Sequence, residues 1–112
     1  MTVVDTWVEV CSLSALGREE GVAALLSDGT QVALFRTHDD RVFALANHDP
    51  FSGAAVLSRG IVGDVGGVPV VASPMHKQHF ELSTGECVED RAVAVPTYPV
   101  LVSGGTISLG RT

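Results

Sequence analysis

Basic residues are scarce in this chain. Only seven of its 112 residues are Lys or Arg, Lys77 is the sole lysine, and the formal net charge is -6. Nucleic-acid binding needs a clustered positive footprint and an anionic membrane surface needs a polybasic one, so neither partner is expected. Charged residues of either sign amount to 18%, below the usual quarter. That fits a rather apolar surface, part of it covered by a partner. No apolar run approaches the roughly 20 residues that span a bilayer. Met1 to Val10 carries Asp5 and Glu9 without a basic region, so it does not read as a signal peptide, and a cytoplasmic location is expected. The only cysteines are Cys11 and Cys87. In the cytoplasm two isolated cysteines read as reduced thiols, and they make no C-x-x-C metal pair. Nucleophile motifs, Gly-rich phosphate loops and nucleotide fingerprints are also missing. The glycines from Gly63 to Gly67 precede a strand rather than a helix, so they read as a hairpin turn.

What the chain has is valine, 18 of them, within an apolar share of 46%. β-branched residues favour strands, and no long stretch carries the 3.6-residue period of a helix. The expectation is one all-β domain, a sandwich of about ten short antiparallel strands over residues 1–112 with its core from about 7 to 109. Trp7 to Val10 opens it, and Ser12 caps a single helical turn to Leu16. Val22–Leu26 and Val32–Arg36 flank Asp28-Gly29, a hairpin signal because glycine accepts positive φ. Val42–Ala46 follows. Ile61–Val65 and Val68–Ala72 flank Gly66-Gly67, His79–Leu82 and Glu86–Val88 flank Ser83-Thr84-Gly85, and Tyr98–Ser103 and Ile107–Leu109 flank Gly104-Gly105. Two long loops break this rhythm, Asn47–Gly60 and Ser73–Gln78. Loops held on a rigid sheet are where sites usually sit.

The first loop reads Asn47-His48-Asp49-Pro50-Phe51-Ser52-Gly53 and the second Ser73-Pro74-Met75-His76-Lys77-Gln78, running on to Phe80 and Thr84-Gly85. These segments resemble the cluster-binding loops of Rieske iron–sulfur domains. In that family Cys-x-His and Cys-x-x-His supply two thiolates to one iron and two imidazoles to the other. Placed on that pattern, Asp49 and Ser73 stand at the cysteine positions, Phe51 stands at the first histidine, and His76 alone retains its ligand type. Oxygen ligands are poor replacements for soft thiolate, so this chain is expected to bind no metal or cofactor of its own. With Asp49 to Ser52, Val56 to Asp64, Ala72 to Gln78 and Thr84 to Cys87, the chain is similar to the cluster-free small subunits of assimilatory NADH-dependent nitrite reductase, from about Trp7 to Leu109. The resemblance implies a Rieske-like β-sandwich that partners a large subunit. That large subunit carries siroheme, an iron–sulfur cluster and FAD, and reduces nitrite to ammonium in nitrogen assimilation.

Individual residues carry two readings each. His76 is either a ligand or proton donor, or a loop histidine bonded to nearby backbone; the second suits the one survivor of four ligands. A zinc site from His48, His76 and His79 needs three or four convergent ligands. Phe51 reads as a plug filling the volume the cluster vacated, packed on Val56 and Leu57, because an empty pocket forfeits dispersion contacts. Its other reading is a docking aromatic. Arg59, His76, Lys77 and Gln78 are candidate docking residues, with Arg59 and Lys77 suited to an acidic patch on the large subunit. Asp49 and Asp64 lie on separate elements, and nothing pairs them as acid and base. No catalytic residue is expected. The competing functional readings are a stand-alone Rieske-type ferredoxin or metal-binding domain, which the missing ligand pairs oppose, and a cluster-free scaffold module of an oxygenase.

Overall fold

A computed structural model describes residues 6–75 and 77–111. It is all-β and antiparallel, as the valine-rich hairpin pattern requires, with ten strands among the described residues. They are β1 (Thr6–Ser12), β2 (Glu20–Leu25), β3 (Gln31–Arg36), β4 (Val42–Ala46), β5 (Ile61–Val65), β6 (Val68–Ala72), β7 (His79–Glu81), β8 (Thr97–Tyr98), β9 (Val100–Ser103) and β10 (Thr106–Arg111). They form three sheets, ordered β1-β10-β9, β2-β3-β4-β8 and β5-β6-β7. No helix of the described residues is long and apolar enough to cross a membrane.

The middle sheet is covered on both faces, and β3 shows why. Alternate residues of a strand point to opposite faces, yet Val32, Ala33, Leu34 and Phe35 are all buried. Val32 and Leu34 join Ala44, Leu16, Leu26, Ile107 and Leu109 in one core, against the terminal sheet. Ala33 and Phe35 join Leu45, Leu57, Val71, Phe80, Leu82, Cys87 and Val95 in a second core, against β5-β6-β7. A strand buried on both faces reads as a continuous apolar run rather than an alternating one. The second core is the floor on which both long loops stand.

Three expected boundaries move. Residues 86–88 make no regular strand: Glu86 bridges Ala94 and Cys87 bridges Phe80, one contact to each side. Gly85, at φ +78°, turns the chain so tightly under Val95 that an added Cβ would sit 1.9 Å from the Val95 carbonyl oxygen. The run from Tyr98 to Ser103 is split at Pro99, where the chain leaves β4, partnered by β8, for β10, partnered by β9. Proline offers no N–H to continue a ladder. The turn after β1 is 3₁₀ over Leu13–Ala15, and Ser12 makes no capping bond; its hydroxyl meets that of Ser14 at 3.1 Å instead.

The β3–β4 turn is tied down by charge. Arg18 grips Asp40 through Nε at 2.7 Å and Nη2 at 3.0 Å. Arg36 adds a contact at 2.9 Å while its Nη1 donates to the Leu16 carbonyl at 2.9 Å. The Arg18 hydrogen bond, aided by Arg36 and opposed by partial desolvation, holds the Asp40 carboxyl down from 3.8 to about 2. A carboxyl depressed in the folded state stabilises it fully above its unfolded pKa and stops doing so as pH falls through the folded value. Asp40→Asn should therefore melt below wild type at about pH 5, and the gap should close between pH 3.8 and about 2. Melting curves across that range check it, and a gap independent of pH would refute the assignment.

The paired loops at the candidate site

Each long loop is closed on itself before it meets the other. Asn47, buried at the end of β4, donates from its backbone to the Gln31 carbonyl at 3.2 Å. Its side-chain Oδ1 accepts from Ser58 N at 2.8 Å and its carbonyl accepts from Leu57 N at 3.2 Å. One residue thus straps the far end of the first loop to its start. Between these points the loop doubles back: His48 bridges Ala55, Asp49 N donates to the Ala54 carbonyl at 2.9 Å, and Gly53 N donates to the Asp49 carbonyl at 2.7 Å. Asp49 Oδ1 then accepts from Phe51 N at 2.8 Å and Ser52 N at 3.3 Å, the local turn that Asp favours. The second loop repeats the device. Ser73 N donates to the Gln78 carbonyl at 2.8 Å, Lys77 N to the Ser73 carbonyl at 3.0 Å, and Met75 N to Ser73 Oγ at 3.3 Å.

The two loops then join directly. Ser73 Oγ donates to Asp49 Oδ2 at 2.5 Å, with Ser73 only 1% exposed and Asp49 fully buried. Hydroxyl and backbone donors converge on both oxygens of one carboxylate, an arrangement that satisfies a buried acceptor-only group. The residues expected at the two thiolate positions, Asp49 and Ser73, are hydrogen-bonded to each other. Phe51 offers no donor atom at the third position, and His76 lies outside the described residues. A [2Fe–2S] cluster demands thiolate on one iron, so these residues do not fit it.

Phe51 departs from the expected plug. It is 41% exposed and its ring lies on Phe80, centroids 6.2 Å apart and planes tilted by 43°. Leu57 is fully buried, but in the core beneath the loop. The physical reason is the Asp49–Ser73 contact: the loops close on each other, so the aromatic ring rides over Phe80 at the tip instead of filling a void. Arg59 ends the 3₁₀ turn Leu57–Arg59, fixed beside Gly60, where a Cβ would meet the Ala72 carbonyl oxygen at 2.4 Å. Lys77 stands on the second loop with φ +61°. Arg18, Arg36, Arg41 and Arg91 each meet a carboxylate, whereas Arg59 and Lys77 have no salt-bridge partner among the described residues. Gln78 Oε1 is buried without a hydrogen-bond partner among the described residues.

The remaining candidates are engaged elsewhere. His79 Nδ1 meets Glu89 Oε2 at 2.7 Å, and its backbone N–H donates to Glu89 Oε1 at 2.7 Å. Burial pushes the Glu89 carboxyl up, but these bonds from His79 outweigh it and leave it below the usual range. His48 is exposed. No group of three or more His, Cys, Asp or Glu among the described residues is placed to hold a metal ion. Both thiols are free, Cys87 in the core and Cys11 half-buried. Asp64 Oδ2 accepts from Gly67 N at 3.1 Å and closes the β5–β6 turn, a job unconnected with Asp49. Sequence reasoning missed the Ser73–Asp49 bond and the Asn47 strap. A donor and an acceptor at the two former thiolate positions was the available signal for the first.

This fold and these loops define a Rieske-like domain, and the chain belongs to the family of Rieske-like [2Fe-2S] domains, whose model matches residues 6–110. Among its relatives are small subunits of nitrite reductases. The chain is 45% identical over 107 residues to the nitrite reductase (NADH) small subunit of Escherichia coli K12, covering 95% of this chain and 98% of that one. A crystal structure of a Mycobacterium tuberculosis protein described as an NADH-dependent nitrite reductase small subunit superposes with a TM-score of 0.92 at 49% identity, covering 99% of this chain and 98% of that one. The chain is also 42% identical over 104 residues to part of the nitrite reductase [NAD(P)H] large subunit of Klebsiella oxytoca, covering 93% of this chain but 11% of that protein.

Removing the hydroxyl takes a hydrogen bond from a buried carboxylate. Ser73→Ala should cost about 1.5–3 kcal/mol, the range for bonds to charged groups. The double variant Asp49→Ala/Ser73→Ala should cost less than the sum of the singles, because the two share one contact. Denaturant unfolding of the four species measures both, and strict additivity would show that the loops are not coupled.

Proposed function

We propose that this chain is a cluster-free, non-catalytic subunit of an NADH-dependent nitrite reductase, acting in the cytoplasm in nitrogen assimilation. The carrying observation is the Ser73–Asp49 hydrogen bond at 2.5 Å, which occupies the thiolate positions of the Rieske pattern. A carrier of electrons needs a redox centre, and the chain's own residues supply none there. The chemistry then belongs to the partner, the large subunit, and siroheme, an iron–sulfur cluster and FAD belong on it. The Klebsiella oxytoca protein supports the pairing, since a domain of this kind forms 11% of a single large-subunit chain.

The same observation weighs against the ferredoxin reading. Rebuilding a cluster would require thiolate at both Asp49 and Ser73. Purified from cells with intact cluster assembly, the chain should be colourless and carry only trace iron and sulfide. Mixed with large subunit, it should raise NADH-dependent nitrite reduction over large subunit alone. Stoichiometric iron and sulfide would overturn the cluster-free reading. Equal activity with the chain omitted would overturn the subunit reading.

A further inference from the structure

We infer that the joined loop tips are the face by which this chain docks on the large-subunit polypeptide, with Phe51 and Met75 as apolar anchors, Lys77 as the orienting charge, and one copy of this chain per large subunit. This rests on the subunit reading above. Phe51 and Met75 are 41% and 47% exposed, one on each tip. Each lies two residues beyond a member of the Asp49–Ser73 pair, so that bond gathers both at one end of the molecule. Exposed Pro50 and Pro74 precede them.

The anchors are held in place before any partner arrives. Asp49 Oδ1 fixes the Phe51 backbone N–H at 2.8 Å, Ser73 Oγ fixes that of Met75 at 3.3 Å, and the Phe51 ring rests on buried Phe80. Binding energy is diminished by the ordering of loops and side chains, and a tip already ordered avoids that loss. Aromatic side chains on such a surface dominate binding. Charge then sets orientation. The chain carries -6 overall, so an acidic partner surface repels most of it, while Lys77 on the tip has no internal salt bridge among the described residues. Opposed potentials of this kind fix register and speed encounter.

The copy number and the choice of face follow from the fused relative. A domain forming 11% of one chain is present once for each remainder of that chain. Its covalent joint must leave through at least one end of the domain. The first and last described strands lie together in the terminal sheet, with Thr6 paired to Arg111, whereas the tips are carried by β4 to β7. The joint therefore leaves the tips free. The terminal sheet also exposes Trp7 and Leu101, each at 43%, which makes it one rival apolar face.

The test assembles full-length chain with large subunit and reads complex mass, affinity, nitrite reduction and melting of each free variant. Phe51→Ser/Met75→Ser should bind at least about tenfold more weakly, with the isolated domain still folded. Met75→Glu, which leaves the Phe51–Phe80 contact intact, should also weaken binding. Lys77→Glu should slow association, most of all at low salt. Trp7→Ser/Leu101→Ser should bind like wild type, and the complex mass should give one small subunit per large. Wild-type affinity in both tip variants, or release by the terminal-sheet variant alone, overturns the docking face. Any other copy number overturns the stoichiometry. A wild-type chain that neither binds nor alters activity overturns the subunit reading, and this inference with it.

Discussion

Two groups out of contact with water, a serine hydroxyl and an aspartate carboxyl, join loops that begin 26 residues apart, at Asn47 and Ser73. Everything distinctive at this end of the molecule depends on them. A buried carboxylate without donors is costly, and here the donors come from the turn it builds and from the opposite loop. The pair therefore holds the two loops to each other by hydrogen bonds. The cores lie below the loops, in Phe35, Leu57, Val71 and Phe80 on one side of the middle sheet and Leu34, Ile107 and Leu109 on the other.

Much of this was legible in the sequence. The hairpins at Asp28-Gly29 and Gly66-Gly67 were readable because their turns need positive φ, and Gly29, Gly66 and Gly67 adopt it. The two loops were readable because they interrupt a regular spacing of valine-rich strands. Elsewhere tertiary contacts overrode local pattern. Residues 86–88 have strand composition, but the close approach of Gly85 to Val95 lets them bridge each neighbour only once. Tyr98–Ser103 read as one strand, yet at Pro99 the chain changes sheet. The place of Phe51 was not readable at all. Its burial depended on whether the space beside it stayed open, and that was decided by Ser73, 22 residues away.

The acidic character of the chain takes on a sharper form in three dimensions. Arg18 and Arg36 share Asp40, Arg41 holds Asp39, and Arg91 holds Glu81 at 2.5 Å. These pairs consume most of the scarce positive charge in local structure. Among the described side chains, Arg59 and Lys77 are left on the two loops without a salt bridge.

The pairing of Thr6 with Arg111 has a mechanical consequence. Strands β1 and β10 run antiparallel with Thr6 beside Arg111, so tension applied at those two residues opens the ladder one rung at a time. It does not shear every rung together. Such a peel yields at low force and proceeds from Thr6–Arg111 toward Ser12–Thr106. The joined loops, borne on other strands, lie off that line of pull. A domain tethered at these residues is therefore soft where it is held and stiff where it makes contact.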